Sequence, residues 1–100
     1  MARADTEGVA TIMGNLAEQA LEREDWPGAE TLASEALPFC EKVGHQQLIA
    51  SNCRRIAEAL APQGRNAEGL PYARRAVDIY AKLGSPELER ARETLRECEG

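Results

Sequence analysis

The sequence matches itself when it is shifted by 40 places, and this repeat limits the possible folds more than any other feature. The matched positions are mostly small or apolar, so the repeated property is a packing surface. The matches are Ala10 with Ala50, Leu16 with Ile56, Ala17 with Ala57, Ala33 with Ala73, Ala36 with Ala76, Cys40 with Tyr80 and Gly44 with Gly84. An ungapped run of this kind predicts two copies of one structural unit.

The apolar spacing inside each unit is helical. Apolar residues recur at i, i+3 and i+4, and the breaks between these segments carry proline or glycine. Gly44, Gly64 and Gly84 are suited to end helices, and Ser85-Pro86-Glu87 is suited to begin one. The pattern predicts five antiparallel helices over roughly 6–24, 27–43, 46–62, 67–83 and 86–98.

Two prolines fall inside the predicted helices. An interior proline removes a backbone hydrogen bond and crowds the preceding turn. We therefore expect a kink near Pro38 and a late or irregular start of the fourth helix near Pro71, with Asn66 as its candidate N-cap.

Composition excludes several classes of protein. Only 4% of the residues are aromatic, which disfavours a β-rich core. A net charge of −5 disfavours nucleic acid as a partner. No apolar run approaches the roughly 20 residues that cross a bilayer, and the N-terminus lacks a secretory signal, so we expect no membrane contact and a cytoplasmic location.

The residue types used for catalysis and metal binding have no supporting context. Cys40, Cys53 and Cys98 have no metal-ligand spacing and are expected to be buried and reduced. His45 lies in a predicted loop and is expected to be solvated. We find no nucleophile with a nearby base, so the sequence predicts no enzymatic activity, no metal and no cofactor.

These residues resemble the tetratricopeptide repeat family, in a variant with a 40-residue period. Asn15-Leu16-Ala17 with Ala20, then Ala29 and Ala36, resemble one repeat. Ile56-Ala57 with Leu60, Gly64, Gly69 and Ala76 resemble a second. The resemblance implies an all-α solenoid in a single domain over 1–100, with repeats at about 6–44 and 46–84 and a capping helix at about 86–98.

The resemblance also implies a function, because stacked helix pairs of this family bind peptides or helices on a concave face. By family position, the partner-binding residues are Thr11, Glu18, Leu21, Glu22, Ser51, Arg54 and Glu58. Such a groove is acidic with Arg54 as its cation, and a protein or peptide partner with basic and apolar residues fits it best. The chain is then an interaction module, part of a larger signalling or regulatory protein.

The alternative is a self-associating structural domain that forms a homodimer. The helix at 86–98 has one apolar stripe and a fully polar opposite face, as a cap would. Terminal helices of a short solenoid leave an apolar side uncovered, and a dimer contact would cover it. We expect the N-terminal helix to form this contact, through Val9, Ala10, Ile12, Met13 and Leu16.

Overall fold

The computed structural model describes the backbone of residues 2–100 and the side chains of residues 7–100. The described chain forms five α-helices and no strand, which confirms the all-α prediction. The helices are α1 (Ala2–Glu22), α2 (Trp26–Val43), α3 (Gln46–Leu60), α4 (Asn66–Leu83) and α5 (Leu88–Glu99), with a short 3-10 turn at Ala61–Gln63.

Each helix packs against the next one along the chain, and α3 also contacts α1 and α5. Short connections make neighbouring helices antiparallel. For example, Asn66 at the start of α4 donates from Nδ2 to the backbone oxygen of Glu97 near the end of α5, at 3.2 Å. In contrast, α1 and α3 run in the same direction, because Glu7 lies beside His45 and Glu18 beside Arg54.

Local sequence signals set most of the helix ends. Gly44 and Gly84 end α2 and α4 with φ of 70° and 64°, a left-handed conformation that is costly for residues with a Cβ. Asp25 caps α2 through its carboxylate, which accepts from the backbone N–H of Gly28 at 3.1 Å. These turns are tight, and they fold each pair of helices back on itself.

Small residues line the helix contacts and let the backbones approach closely. Ala17, Ala33, Ala57 and Ala73 are fully buried, and so is the large ring of Tyr80. A Cβ added at Gly69 would lie 2.9 Å from Sγ of Cys98, so α4 and α5 meet there without room for a side chain. The three cysteines are free and buried, as the sequence predicts.

Several expected helix ends differ from the structure. The fourth helix begins at Asn66 and passes through Pro71, so the late or irregular start expected there does not occur. Its N-cap is Arg65 rather than Asn66. The last helix begins at Leu88, because Ser85 forms a turn in which its Oγ accepts from the N–H of Glu87 at 3.1 Å. α2 runs unbroken through Pro38, and a bend there stays a prediction.

Candidate binding groove

A groove of about 390 Å³ opens between the C-terminal half of α1, the end of α3 and the polar side of α5. Antiparallel and parallel packing together bring these three helices to one side of the molecule. The groove is lined by Glu18, Leu21, Glu22, Trp26, Glu58, Pro62, Arg90, Glu93, Thr94 and Glu97.

A buried arginine ties the wall of the groove together. The side chain of Arg54 is only 3% exposed. Its Nη1 donates to Oε2 of Glu58 at 2.7 Å, and its Nη2 donates to Oε1 of Glu18 at 3.0 Å. Charge-assisted hydrogen bonds to two carboxylates offset the cost of removing the guanidinium from water. Burial would lower the pKa of Arg54, but Glu58 and Glu18 outweigh burial and raise it.

Two more arginines join the same carboxylates. Nε of Arg55 donates to Glu18 at 3.0 Å. On α5, Nη2 of Arg90 donates to Oε2 of Glu18 at 2.8 Å, and Nε of Arg90 lies 3.3 Å from Oε2 of Glu58. Side chains from α1, α3 and α5 therefore meet in one ionic network, which fixes the relative positions of the three helices that form the groove.

The hydrogen bonds to Glu18 keep it charged. Burial alone would raise the pKa of this carboxyl, but the hydrogen bonds from Arg55, Arg54 and Arg90 lower the pKa from 4.5 to about 2. The network therefore holds its charge at any pH near neutrality.

The opening of the groove remains acidic. Three arginines form ion pairs with Glu18 and Glu58. In contrast, Glu22, Glu93 and Glu97 line the groove and form no ion pair with any described residue. Burial raises the pKa of Glu97, and the negative charges of Glu58 and Glu93 raise it further. Like charges thus crowd the α5 side of the groove, where a cation would be stabilised.

The opposite side of the groove is apolar. Trp26 is partly buried against the cluster formed by Ala20, Leu21, Ala29 and Ala59, and Pro62 is exposed nearby. An indole, an aliphatic chain and a proline ring offer a surface for the hydrocarbon stems of long side chains.

The structure separates the seven partner-binding residues expected from the sequence. Four of them line the groove together, namely Glu18, Leu21, Glu22 and Glu58. Thr11 is exposed on α1 outside the groove.

Ser51 and Arg54 differ from the expectation because they are buried among other helices. The hydroxyl of Ser51 is bonded to that of Tyr80 at 2.7 Å, and Arg54 holds two glutamates. Neither side chain is free for a partner, and the cation at the surface of the groove is Arg90 instead.

The residues that α5 contributes were not expected from the sequence. Arg90, Glu93 and Glu97 fall on the polar face that we interpreted as that of a cap, and the buried Thr94 lies beside them. Their spacing of three or four residues places them on one side of the helix, and this spacing was the available signal. Trp26 and Pro62 lie at the ends of helices, where an aromatic residue or a proline is usually interpreted as part of a turn.

His45 has a structural role that the sequence did not predict. Its Nδ1 accepts a hydrogen bond from the backbone N–H of Leu48 at 3.2 Å, which caps the start of α3. Its Nε2 lies 3.6 Å from a carboxylate oxygen of Glu7. His45 also borders an open cleft of about 580 Å³ between the α2–α3 and α4–α5 connections.

No group of three or more His, Cys, Asp or Glu side chains in the described part of the chain is arranged to hold a metal ion. None of the helices in residues 2–100 is both long enough and apolar enough to cross a membrane. Comparisons of the chain with protein-family models, with curated proteins and with solved structures find no match.

Proposed function

We propose that this chain is a non-catalytic protein-interaction module that binds a basic segment with apolar residues in the groove between α1, α3 and α5. The proposed architecture is a solenoid similar to tetratricopeptide repeats, with two helix-turn-helix units and α5 as a C-terminal capping helix. One observation carries the proposal, namely that Glu22, Glu93 and Glu97 line the groove with Trp26 and form no ion pair with any side chain among residues 7–100.

Charge and shape together select the class of partner. A lysine or arginine side chain can lay its hydrocarbon stem on Trp26 while its charged end reaches Glu93 or Glu97. An acidic segment would face like charges instead, and this costs binding free energy. A volume of about 390 Å³ holds a few side chains of an extended or helical segment, so the partner element is a peptide or one helix face.

The ionic network supports binding by holding the groove in shape. Because Arg54, Glu18, Glu58 and Arg90 are already paired, a ligand does not have to order these side chains. A pre-organised surface loses less conformational entropy on binding. The affinity then depends on the carboxylates that remain unpaired, and it should fall as salt screens them.

The experiment uses a fluorescein-labelled helical peptide of Lys and Leu residues and measures its binding by fluorescence anisotropy. The double variant Glu93→Lys with Glu97→Lys should weaken binding at least ~10-fold, because two attractive charges become repulsive. The matched control is Glu35→Lys with Glu99→Lys, which changes two exposed glutamates outside the groove and alters the net charge equally. Equal loss in both double variants, or no loss in either, would show that the groove is not the site.

A further inference from the structure

The middle of the exposed side of α1 is a continuous surface without charge. Between Gly8 and Gln19, the outward arc of the helix carries Gly8, Val9, Ile12, Asn15, Leu16 and Gln19, and all of these residues are exposed. The one charged residue in this stretch, Glu18, lies outside this arc and is bonded to arginines. In a chain in which 29% of residues are charged, a neutral helix face of this length is unusual. We call this arc the α1 face.

The 40-residue repeat allows the exposure of the α1 face to be compared with that of the matching residues on α3. Val9, Ile12 and Leu16 are 38%, 61% and 42% exposed, whereas the residues 40 places later, Ile49, Asn52 and Ile56, are at most 3% exposed. On α3 these positions lie inside the protein, and Asn52 donates from Nδ2 to Sγ of Cys40 on α2. The surface that α3 buries against the preceding helices is therefore left open on α1.

The net charge of the chain favours a second copy of the α1 face as the partner that covers it. With a net charge of −5, two copies of this chain repel each other except where their surfaces are neutral. The α1 face is neutral and apolar, so it can meet a second α1 face without placing like charges together.

The outward surface of α5, at the other end of the chain, does not match the α1 face. On α5, the residues that face away from the core are charged, and they include Glu89, Arg92, Glu93 and Arg96. Head-to-tail stacking would cover Ile12 and Leu16 with these charges at a desolvation cost. Contact between two identical faces avoids this cost and closes after two copies.

We propose that this chain self-associates as a two-fold symmetric dimer through the α1 face, independently of the groove between α1, α3 and α5. The face extends roughly 18 Å along one helix, which is small beside the ~800 Å² per partner of a standard interface. The dimer is therefore weak and reversible, and it forms at high protein concentration. Because burial of apolar surface drives it, added salt should leave it unchanged or strengthen it.

Sedimentation equilibrium from ~10 µM to ~1 mM tests the proposal, with a monomer mass of 10.9 kDa as the reference. The mass of the unmodified chain should rise with concentration towards twice that of the monomer. Ile12→Glu should remain monomeric with unchanged helicity, since Ile12 is exposed and contributes little to the core. The matched control, Leu83→Glu, changes an exposed leucine at the end of α4 and should associate like the unmodified chain.

A mixing experiment distinguishes a symmetric contact from head-to-tail stacking. Ile12→Lys and Ile12→Glu should each be monomeric, and an equal mixture should regain association because opposite charges then meet across the two-fold axis. A chain that stays monomeric at ~1 mM, an Ile12→Glu variant that still associates, or a mixture that does not recover would each overturn the proposal.

Discussion

Arg54 on α3 donates from Nη2 to Oε1 of Glu18 on α1 at 3.0 Å, deep in the wall of the acidic groove. The same guanidinium donates from Nη1 to Glu58 at 2.7 Å. One buried cation therefore links α1 and α3, which are separated in the sequence by α2. The arginine expected to contact a partner instead holds the groove together. In the proposed binding mode, the carboxylates of α5 contact the partner.

Removing this arginine should destabilise the fold. Arg54→Met leaves the partly buried carboxylates of Glu18 and Glu58 without their main partner, and breaking a buried pair on one side costs about 3 to 5 kcal/mol. Urea unfolding followed by circular dichroism measures this loss. Arg74→Met removes an exposed arginine on α4 and should change stability by less than about 0.5 kcal/mol. Equal effects of the two substitutions would contradict the network.

Acid should weaken the fold through Glu18. Because the pKa of Glu18 is about 2 in the folded state and 4.5 in the unfolded chain, its charge stabilises the fold above pH 4.5. This contribution, about 3 kcal/mol, is lost as the pH falls from 4.5 to 2. The free energy of unfolding, measured at pH 6, 4.5 and 3, should decline less steeply in Glu18→Gln than in the unmodified chain. An identical decline would show that Glu18 is not held by its arginines.

Glu97 should have the opposite effect on stability. Burial and the nearby charges of Glu58 and Glu93 raise the pKa of Glu97, so its ionised form is disfavoured in the folded state. The resulting penalty is complete above the folded-state pKa and disappears below the unfolded value of 4.5. Glu97→Gln should therefore raise the melting temperature at pH 7 and not at pH 3, while it weakens binding of a basic peptide. A lower melting temperature at pH 7 would contradict the crowding of carboxylates.

The hydrogen bond between the hydroxyls of Ser51 and Tyr80 should contribute to the stability of the fold. Tyr80→Phe removes the hydroxyl that lies 2.7 Å from Oγ of Ser51 and leaves that oxygen buried without a strong partner, at a cost of about 1 to 3 kcal/mol. The double variant with Ser51→Ala should lose less stability than the sum of the two single variants. Strict additivity in thermal unfolding would show that the two hydroxyls are not coupled.

The helices could be predicted from the sequence because the signals for them are local. Apolar residues at helical spacing define each packing face, and Gly44 and Gly84 end helices where a left-handed residue is needed. The stripe of Leu88, Ala91, Leu95 and Cys98 on α5 packs into the core as expected. Pro71 was misleading because α4 continues from Asn66 to Leu83 through this residue, which is exposed on the helix surface.

The groove was harder to predict because its members come from distant parts of the chain. Nothing in the sequence indicates that α5 returns to Glu18, which lies 72 residues from Arg90. A charged face on a terminal helix reads as solvated until its neighbours are known. The same lack of tertiary information made Arg54 look available, although it is buried and bonded to Glu18 and Glu58.

The most direct test of the proposed function is a heteronuclear NMR titration of the chain with the Lys and Leu peptide. Trp26 is the only tryptophan, so its indole N–H gives one resolved signal inside the groove. This signal and the amides of Glu22, Glu93 and Glu97 should shift together as the peptide saturates the protein, and a peptide with Glu in place of Lys should cause no shifts. A saturated complex in which Trp26 is unmoved, with shifts around His45 and Leu83 instead, would contradict the account.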